Sequence, residues 1–116
     1  MTLKNQVQLI VYPDSLGSDL VELHYVLRRY LSNAIGGVHL LPFYPSSADR
    51  GFAPLTYDAV DPAFGTWRDI NLIGREFDLI IDFMVNHISR LSDYFQDYFE
   101  KGADSEYADM FLSFNK

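Results

Sequence analysis

The chain contains no cysteine among its 116 residues. Disulfide bonds and thiolate metal sites are therefore excluded, which fits a reducing compartment without establishing one. Residues 1–6 lack the long apolar core of a secretory signal peptide, and no apolar run reaches the length of a membrane-spanning helix. These absences predict a cytoplasmic protein.

Basic residues are also scarce, since 9 lysines and arginines face 16 aspartates and glutamates, for a net charge of −7. Nucleic acids and anionic membranes both attract basic surfaces, so neither is expected as a partner. The three histidines lie far apart and form no recognisable metal motif, and His24 and His39 are expected to be structural. We therefore expect neither a metal nor another cofactor.

The residues that are abundant indicate an ordinary globular domain. Hydrophobic residues make up 48% and charged residues 22%, and the length suits one small domain. The aromatic share, 16%, is high. Aromatic rings can stack on sugars, but they also fill small cores, and we favour the core as their main location.

The first two predicted elements are a strand and a helix. Residues 7–12 are mostly apolar and predict a buried strand, which Pro13 ends. Residues 19–31 predict a helix because their leucines recur at helical spacing. Asp19 can cap this helix, with Glu22 three residues later.

Two more strands and a second helix complete an alternating pattern. Residues 38–43 predict the second strand, and residues 79–85 predict a third that is apolar enough to be covered on both faces. Between them Thr66 opens a helix, with Asp69 in the capping-box position. Such alternation predicts an α/β fold with a parallel sheet, either an open doubly wound sheet or a closed barrel. Neither G-x-G-x-x-G nor a Walker A motif is present, so nucleotide-binding versions are disfavoured.

Two aromatic clusters follow the third strand. The clusters in residues 94–99 and 107–114 have helical spacing and predict two short amphipathic helices. Packing against another part of the protein is the favoured interpretation of both.

A long segment without periodicity, residues 45–65, follows the second strand. Ligands of parallel α/β folds bind at the carboxyl ends of the strands, and loops of this length are usually functional. The segment holds Asp49, Arg50 and Phe52 close together, and Gly51 allows a tight turn between them.

Asn86 and His87 follow the third strand and are expected at the same edge. If the second and third strands are neighbours, Asp49 and His87 approach one pocket, where their side chains suit sugar hydroxyls. The residues alone leave equally open that Asp49 caps a turn and that His87 is a satisfied strand-end residue. Asp82 is predicted inside the strand with a structural role, and because a buried carboxylate needs a partner we expect an arginine elsewhere in the fold.

Residues 82–87, Asp-Phe-Met-Val-Asn-His, resemble the first conserved region of glycoside hydrolase family 13, a D-x-x-x-N-H pattern that closes the third barrel strand. Further segments are similar to the sucrose phosphorylase branch of that family: residues 7–17, 36–43, 49–54, 60–67 and 86–90. The resemblance covers essentially the whole chain and implies an incomplete (β/α)8 TIM barrel. Residues 1–87 would then hold the first three strands and two helices, and residues 88–116 a helical segment at the start of an inserted subdomain.

The resemblance implies a retaining double displacement that transfers the glucosyl unit of sucrose to inorganic phosphate, yielding glucose 1-phosphate and fructose. Two carboxyl groups about 5 Å apart perform such reactions. In the family, the nucleophilic aspartate follows the fourth strand, the acid/base glutamate the fifth, and a transition-state aspartate the seventh. All three are expected beyond Lys116, so we expect no catalytic residue in this chain and no activity from it alone.

The same resemblance implies substrate-binding roles within the chain. Asp49 and His87 would bind hydroxyls of the glucosyl unit, Phe52 would line that subsite, and Arg50 would neighbour it. Asn86 would maintain the shape of the site. An asparagine here helps to bind calcium in related amylases, but the sucrose phosphorylase branch is not expected to need calcium.

Two other interpretations stay open. One keeps the family but changes the reaction, to a sucrose 6-phosphate phosphorylase, a glucosylglycerate phosphorylase or a related hydrolase. The other is a short natural product without catalysis, which a stop codon after Lys116 would favour and an in-frame continuation would not. The sequence predicts no oligomeric state.

Overall fold

Three parallel strands lie side by side in chain order in the computed structural model, which describes residue 2 and residues 5–114. They are β1 (Gln8–Val11), β2 (Gly37–Leu40) and β3 (Asp78–Ile81). Both strand pairs are parallel, so the predicted strand order is confirmed. Each strand is shorter than the sequence pattern suggested.

The helices connect the strands as predicted. The longer ones are α1 (Leu20–Val26), α2 (Trp67–Glu76) and α3 (Asp93–Lys101). A π-helical turn, Leu27–Leu31, continues α1, so together they cover most of the helix predicted over residues 19–31. Short 3-10 turns occur at Asp49–Gly51, Gly102–Asp104 and Ala108–Met110.

Both predicted helix caps form. The side chain of Asp19 accepts a hydrogen bond of 2.9 Å from the backbone N–H of Glu22. The Glu22 carboxylate in turn accepts from the backbone N–H of Ser18, at 2.7 Å. At the start of α2 the capping box of Thr66 and Asp69 is complete. These bonds satisfy N–H groups that a helix start leaves without partners.

The core lies between the sheet and the first two helices. Helix α1 packs on α2, and α2 packs on β3. The fully buried members of this core come from α1 and its extension, from β2 and its end, and from α2: Leu20, Leu23, Leu27, Val38, Leu40, Phe43 and Ile73. The leucine stripe read from the sequence therefore faces the sheet.

The prediction that the third strand runs over residues 79–85, covered on both faces, is wrong. The strand ends at Ile81, whose partner Leu40 is the last residue of β2, two positions before Pro42. Proline cannot donate a ladder hydrogen bond, so the pairing stops there. Because β3 is the outer strand of this sheet, Ile80 and Ile81 are exposed.

The tail, residues 88–114, is only partly helical. Its first aromatic cluster lies on α3 as predicted, but the second forms only the 3-10 turn Ala108–Met110. After α3 the chain turns back at Gly102, and the ring of Phe111 stacks on Tyr98 at 4.8 Å. The aromatic residues therefore meet across a reversal of the chain, not along one helix. No helix in the described residues is long and apolar enough to cross a membrane.

Candidate functional site

The β2 loop, residues 45–65, folds back over the carboxyl end of β2. Ser46 and Pro54 form an isolated antiparallel bridge across its base. The Ser46 hydroxyl lies 2.8 Å from the backbone oxygens of both Ala48 and Ala53, and the backbone N–H of Leu55 donates to the Pro45 oxygen at 2.7 Å. These bonds close residues 46–54 into a compact turn.

The tip of this turn has an unusual backbone. Asp49, Arg50 and Gly51 all have positive φ, at 56°, 51° and 99°. Only glycine adopts such angles without steric cost. A Cβ atom at position 51 would lie 2.6 Å from the backbone oxygen of Pro42, so any side chain at this position would also clash sterically with the backbone. The tip leaves the Asp49 side chain exposed.

The segment after β3 is joined to this turn by three hydrogen bonds. Nε2 of His87 lies 2.6 Å from the backbone oxygen of Phe52. The backbone N–H of Ser89 donates to the Pro54 oxygen at 3.0 Å, and the hydroxyls of Ser89 and Ser47 are 2.7 Å apart. We call these five residues the loop clamp. The sequence pattern did not reveal it, because two of the three bonds use backbone oxygens.

The loop clamp brings Asp49, Phe52 and His87 to one edge of the sheet. The backbone N–H of Phe52 donates to the backbone oxygen of Asp49 at 3.1 Å, and the backbone oxygen of Phe52 contacts His87. Asp49 and His87 are exposed, and the Phe52 side chain packs against the core. An exposed carboxylate and an exposed imidazole at one sheet edge can bind a polyhydroxylated ligand.

Arg50 is directed toward the end of β1. Its Nη2 donates to Oδ1 of Asp14 at 3.1 Å, and its guanidinium carbon lies 4.0 Å from the centre of the Tyr12 ring. The arginine therefore joins the tip of the β2 loop to the residues that follow the neighbouring strand.

Asp82 differs from its prediction in two respects. It follows β3 and does not lie inside it, because the ladder ends at Ile81. Its partner is not an arginine but His39 of β2, with 3.1 Å between Nε2 and Oδ2. His39 pairs with Ile80 in the ladder, and Asp82 lies two residues further on, so strand alternation places both side chains on one face.

A cleft of about 510 Å³ lies beside His87. Asn86 and His87 provide its polar lining, and Tyr57, Phe83 and Met84 are among its apolar lining residues. The rings of Tyr57 and Phe83 are 4.3 Å apart, and the Tyr57 hydroxyl donates to the Met84 oxygen at 2.5 Å. The sequence analysis did not single out Tyr57, although an aromatic residue in a loop at this edge is a signal for it.

Burial changes the acidity of two phenols behind the site. The pKa of Tyr44 is raised mainly by its removal from water and further by Tyr57 and Asp82. Burial also raises the pKa of Tyr57, with a smaller contribution from Tyr94. Both phenols thus stay protonated at neutral pH, so Tyr44 can donate to the Asp82 backbone oxygen, 3.3 Å away. Among the described residues, no three His, Asp or Glu side chains form a group that could hold a metal ion.

The chain is similar to enzymes that act on glucosides. Residues 27–116 match the family model of the alpha amylase catalytic domain. Over all 116 residues the chain is 59% identical to the sucrose 6(F)-phosphate phosphorylase of Thermoanaerobacterium thermosaccharolyticum and 52% identical to the sucrose phosphorylase of Streptococcus mutans. The alignments cover 100% of this chain but 24% of each relative, so the chain spans about a quarter of their length.

The fold agrees with a solved structure in this group. The crystal structure of sucrose 6F-phosphate phosphorylase from Thermoanaerobacter thermosaccharolyticum superposes with a TM-score of 0.88 and 60% identity. The match covers 97% of this chain and 23% of that one. The predicted fold class, an incomplete (β/α)8 barrel, is confirmed.

Proposed function

The chain belongs to the alpha amylase catalytic-domain family, and from this premise we propose that it is the amino-terminal part of a glucosyl-transferring phosphorylase. We call the protein that contains it the parent protein. Its proposed substrates are sucrose, or sucrose phosphorylated on the fructosyl unit, together with inorganic phosphate. Its proposed products are glucose 1-phosphate and the released fructosyl unit.

The observation that carries this proposal is the meeting of Asp49, Phe52 and His87 at the carboxyl edge of a parallel sheet. The Asp49 carboxylate would accept hydrogen bonds from glucosyl hydroxyls. A proton on Nε2 of His87, donated to the Phe52 oxygen, leaves Nδ1 as an acceptor for another hydroxyl. Phe52 would line the subsite, and Asn86 would maintain the cleft beside it.

The chemistry itself is proposed to need residues outside this chain. A retaining transfer uses a nucleophilic carboxylate and a carboxylic acid about 5 Å apart, on opposite sides of the bond that breaks. By resemblance these groups follow the fourth and fifth barrel strands, and the residues described here contain three strands. The role proposed for this chain is to bind the glucosyl unit in place for those groups.

The identity of 59% with a sucrose 6(F)-phosphate phosphorylase, against 52% with a sucrose phosphorylase, supports the phosphorylated sugar as a second candidate substrate. Both relatives belong to one reaction class, so the site in this chain would serve either substrate through the same glucosyl unit. A cytoplasmic location stays a prediction.

The proposal is tested with the purified parent protein. Incubation with inorganic phosphate and either sucrose or sucrose 6F-phosphate should form glucose 1-phosphate, and omission of phosphate should abolish it. Release of free glucose at equal rates with and without phosphate would instead make the parent protein a hydrolase. Absence of any product from both sugars would contradict the proposal.

A further inference from the structure

The tip of the β2 loop holds two non-glycine residues in the left-handed region, Asp49 with φ of 56° and Arg50 with φ of 51° and ψ of 48°. Side chains of L-residues disfavour these angles, and such residues persist where the surroundings impose them. Aspartate tolerates the left-handed region better than most residues, whereas arginine has no such preference. Something outside the tip must therefore hold Arg50 in this conformation.

The contacts of Arg50 provide that restraint. Its Nη2 lies 3.1 Å from Oδ1 of Asp14, and its guanidinium lies 4.0 Å from the centre of the Tyr12 ring. Asp14 and Tyr12 follow β1, which is hydrogen-bonded to β2 as its neighbour in the sheet. The tip of the β2 loop is thus fixed to the residues that follow β1, a different strand from the one that the loop follows.

The two contacts act on different parts of one side chain. The ion pair engages Nη2 of the guanidinium, and the guanidinium carbon lies over the Tyr12 ring, so two different groups restrain its position. An exposed ion pair by itself contributes little stability, and the Arg50 side chain is 59% exposed. The combined contacts thus serve to orient the loop tip more than to stabilise the fold.

We propose that three residues hold the tip of the β2 loop in its left-handed conformation and thereby position the Asp49 carboxylate in the glucosyl site. They are Tyr12, Asp14 and Arg50, and we call them the Arg50 anchor. Arg50 is then a positioning residue and does not itself bind substrate. This inference rests on the proposed function, because the role of Asp49 comes from it. It gives a positioning role to the arginine that the resemblance places beside the glucosyl subsite.

The inference is tested in the parent protein by kcat/KM for phosphorolysis. Arg50→Ala should lower kcat/KM by about tenfold to a hundredfold, because a small displacement of a binding group is costly. Arg50→Gly should retain severalfold more activity than Arg50→Ala, since glycine adopts left-handed angles without an anchor. Both variants lack the guanidinium equally, so a direct role in substrate binding predicts equal losses.

A double-mutant cycle provides the second measurement. Asp14→Ala should lower kcat/KM, and the Asp14→Ala/Arg50→Ala variant should lose little beyond Arg50→Ala, because the two residues act as one unit. Arg29→Ala is the matched control, since Arg29 is also exposed and also lies over a tyrosine ring, that of Tyr30 at 5.9 Å. It should leave kcat/KM unchanged. Wild-type activity of Asp14→Ala, together with equal losses in Arg50→Gly and Arg50→Ala, would overturn the inference.

A structural readout separates this inference from the proposed function. If the wild-type parent protein lacks phosphorolysis, the proposed function fails, whereas the anchor is still tested by crystal structures of Arg50→Ala and Asp14→Ala. The anchor predicts that residues 49 and 50 leave the positive φ region in the Arg50→Ala variant. Retention of both positive φ angles in both variants would contradict it.

Discussion

Nε2 of His87 lies 2.6 Å from the backbone carbonyl oxygen of Phe52, across a separation of 35 residues. The contact joins the segment after β3 to the loop after β2, and those strands are neighbours in the sheet. Because the acceptor belongs to the backbone, the contact fixes the loop path independently of the Phe52 ring. This bond holds two segments that are distant in sequence together at one edge of the sheet.

The serines of the loop clamp are predicted to act together. Ser89 is 5% exposed, and its hydroxyl contacts the Ser47 hydroxyl at 2.7 Å and accepts from the Leu91 N–H at 3.0 Å. Ser89→Ala removes both bonds and should cost the parent protein about 1–3 kcal/mol of unfolding free energy, measured in urea. Ser47→Ala should cost less because Ser47 is exposed. Additive losses in the double variant would show that the two hydroxyls do not interact.

Gly51→Ala is predicted to damage the site through sterics as well as backbone strain. The new Cβ atom would lie 2.6 Å from the Pro42 oxygen, at a φ of 99°. Gly102→Ala is the matched control, since its φ is also positive, at 59°, but no atom lies within 4 Å of the new Cβ. We expect about 1 kcal/mol of destabilisation for Gly102→Ala and a clearly larger loss for Gly51→Ala. Equal melting temperatures of the two variants would refute the steric account.

The isolated 116-residue chain is predicted to be inactive. By resemblance both catalytic carboxyls follow strands that are absent from the described residues, and binding groups alone cannot transfer a glucosyl unit. Purified chain incubated with sucrose and phosphate should give no glucose 1-phosphate above a protein-free blank. Formation of that product by the isolated chain would place catalytic groups within these residues.

The isolated chain is also predicted to pack loosely. In the described residues β1 and β3 are the outer strands of the sheet, and Ile10, Phe83 and Val85 are 63%, 60% and 86% exposed. A closed barrel pairs such edges and covers such side chains. Thermal and urea melts should show no cooperative transition, and a hydrophobic dye should bind strongly, in contrast to the parent protein. A sharp two-state melt of a soluble monomer would contradict this prediction.

Much of the fold followed from sequence periodicity. Strand and helix alternation predicted the parallel order, and the pairs Asp19–Glu22 and Thr66–Asp69 marked both helix starts. The end of β3 could not be predicted from its own residues, because the length of the paired region is limited by the end of β2. The apolar residues 83–85 have the composition of a strand, but they have no ladder partner on β2.

The meeting of the β2 loop with the segment after β3 was predicted, but the contacts between them were not. The ends of neighbouring parallel strands lie at one edge of the sheet, so the placement of Asp49 and His87 at that edge could be inferred from the alternation alone. The partner of Asp82 was missed because the choice of His39 depends on the register of β2 and β3, which pairs residues such as His39 and Ile80 that are far apart in sequence. The contacts of Arg50 with Tyr12 and Asp14 could likewise not be predicted from the sequence, since they join the β2 loop to the residues after β1.

The central claim is that Asp49 and His87 together bind the glucosyl unit, and steady-state kinetics of Asp49→Ala and His87→Ala in the parent protein test it most directly. Each lost hydrogen bond to a charged or polar group should lower kcat/KM for phosphorolysis by about tenfold to a hundredfold. The exposed Asp109→Ala variant is the control and should match wild type. Melting temperatures close to wild type would show that the loss concerns binding and not folding. A kcat/KM close to wild type in either Asp49→Ala or His87→Ala would contradict the account.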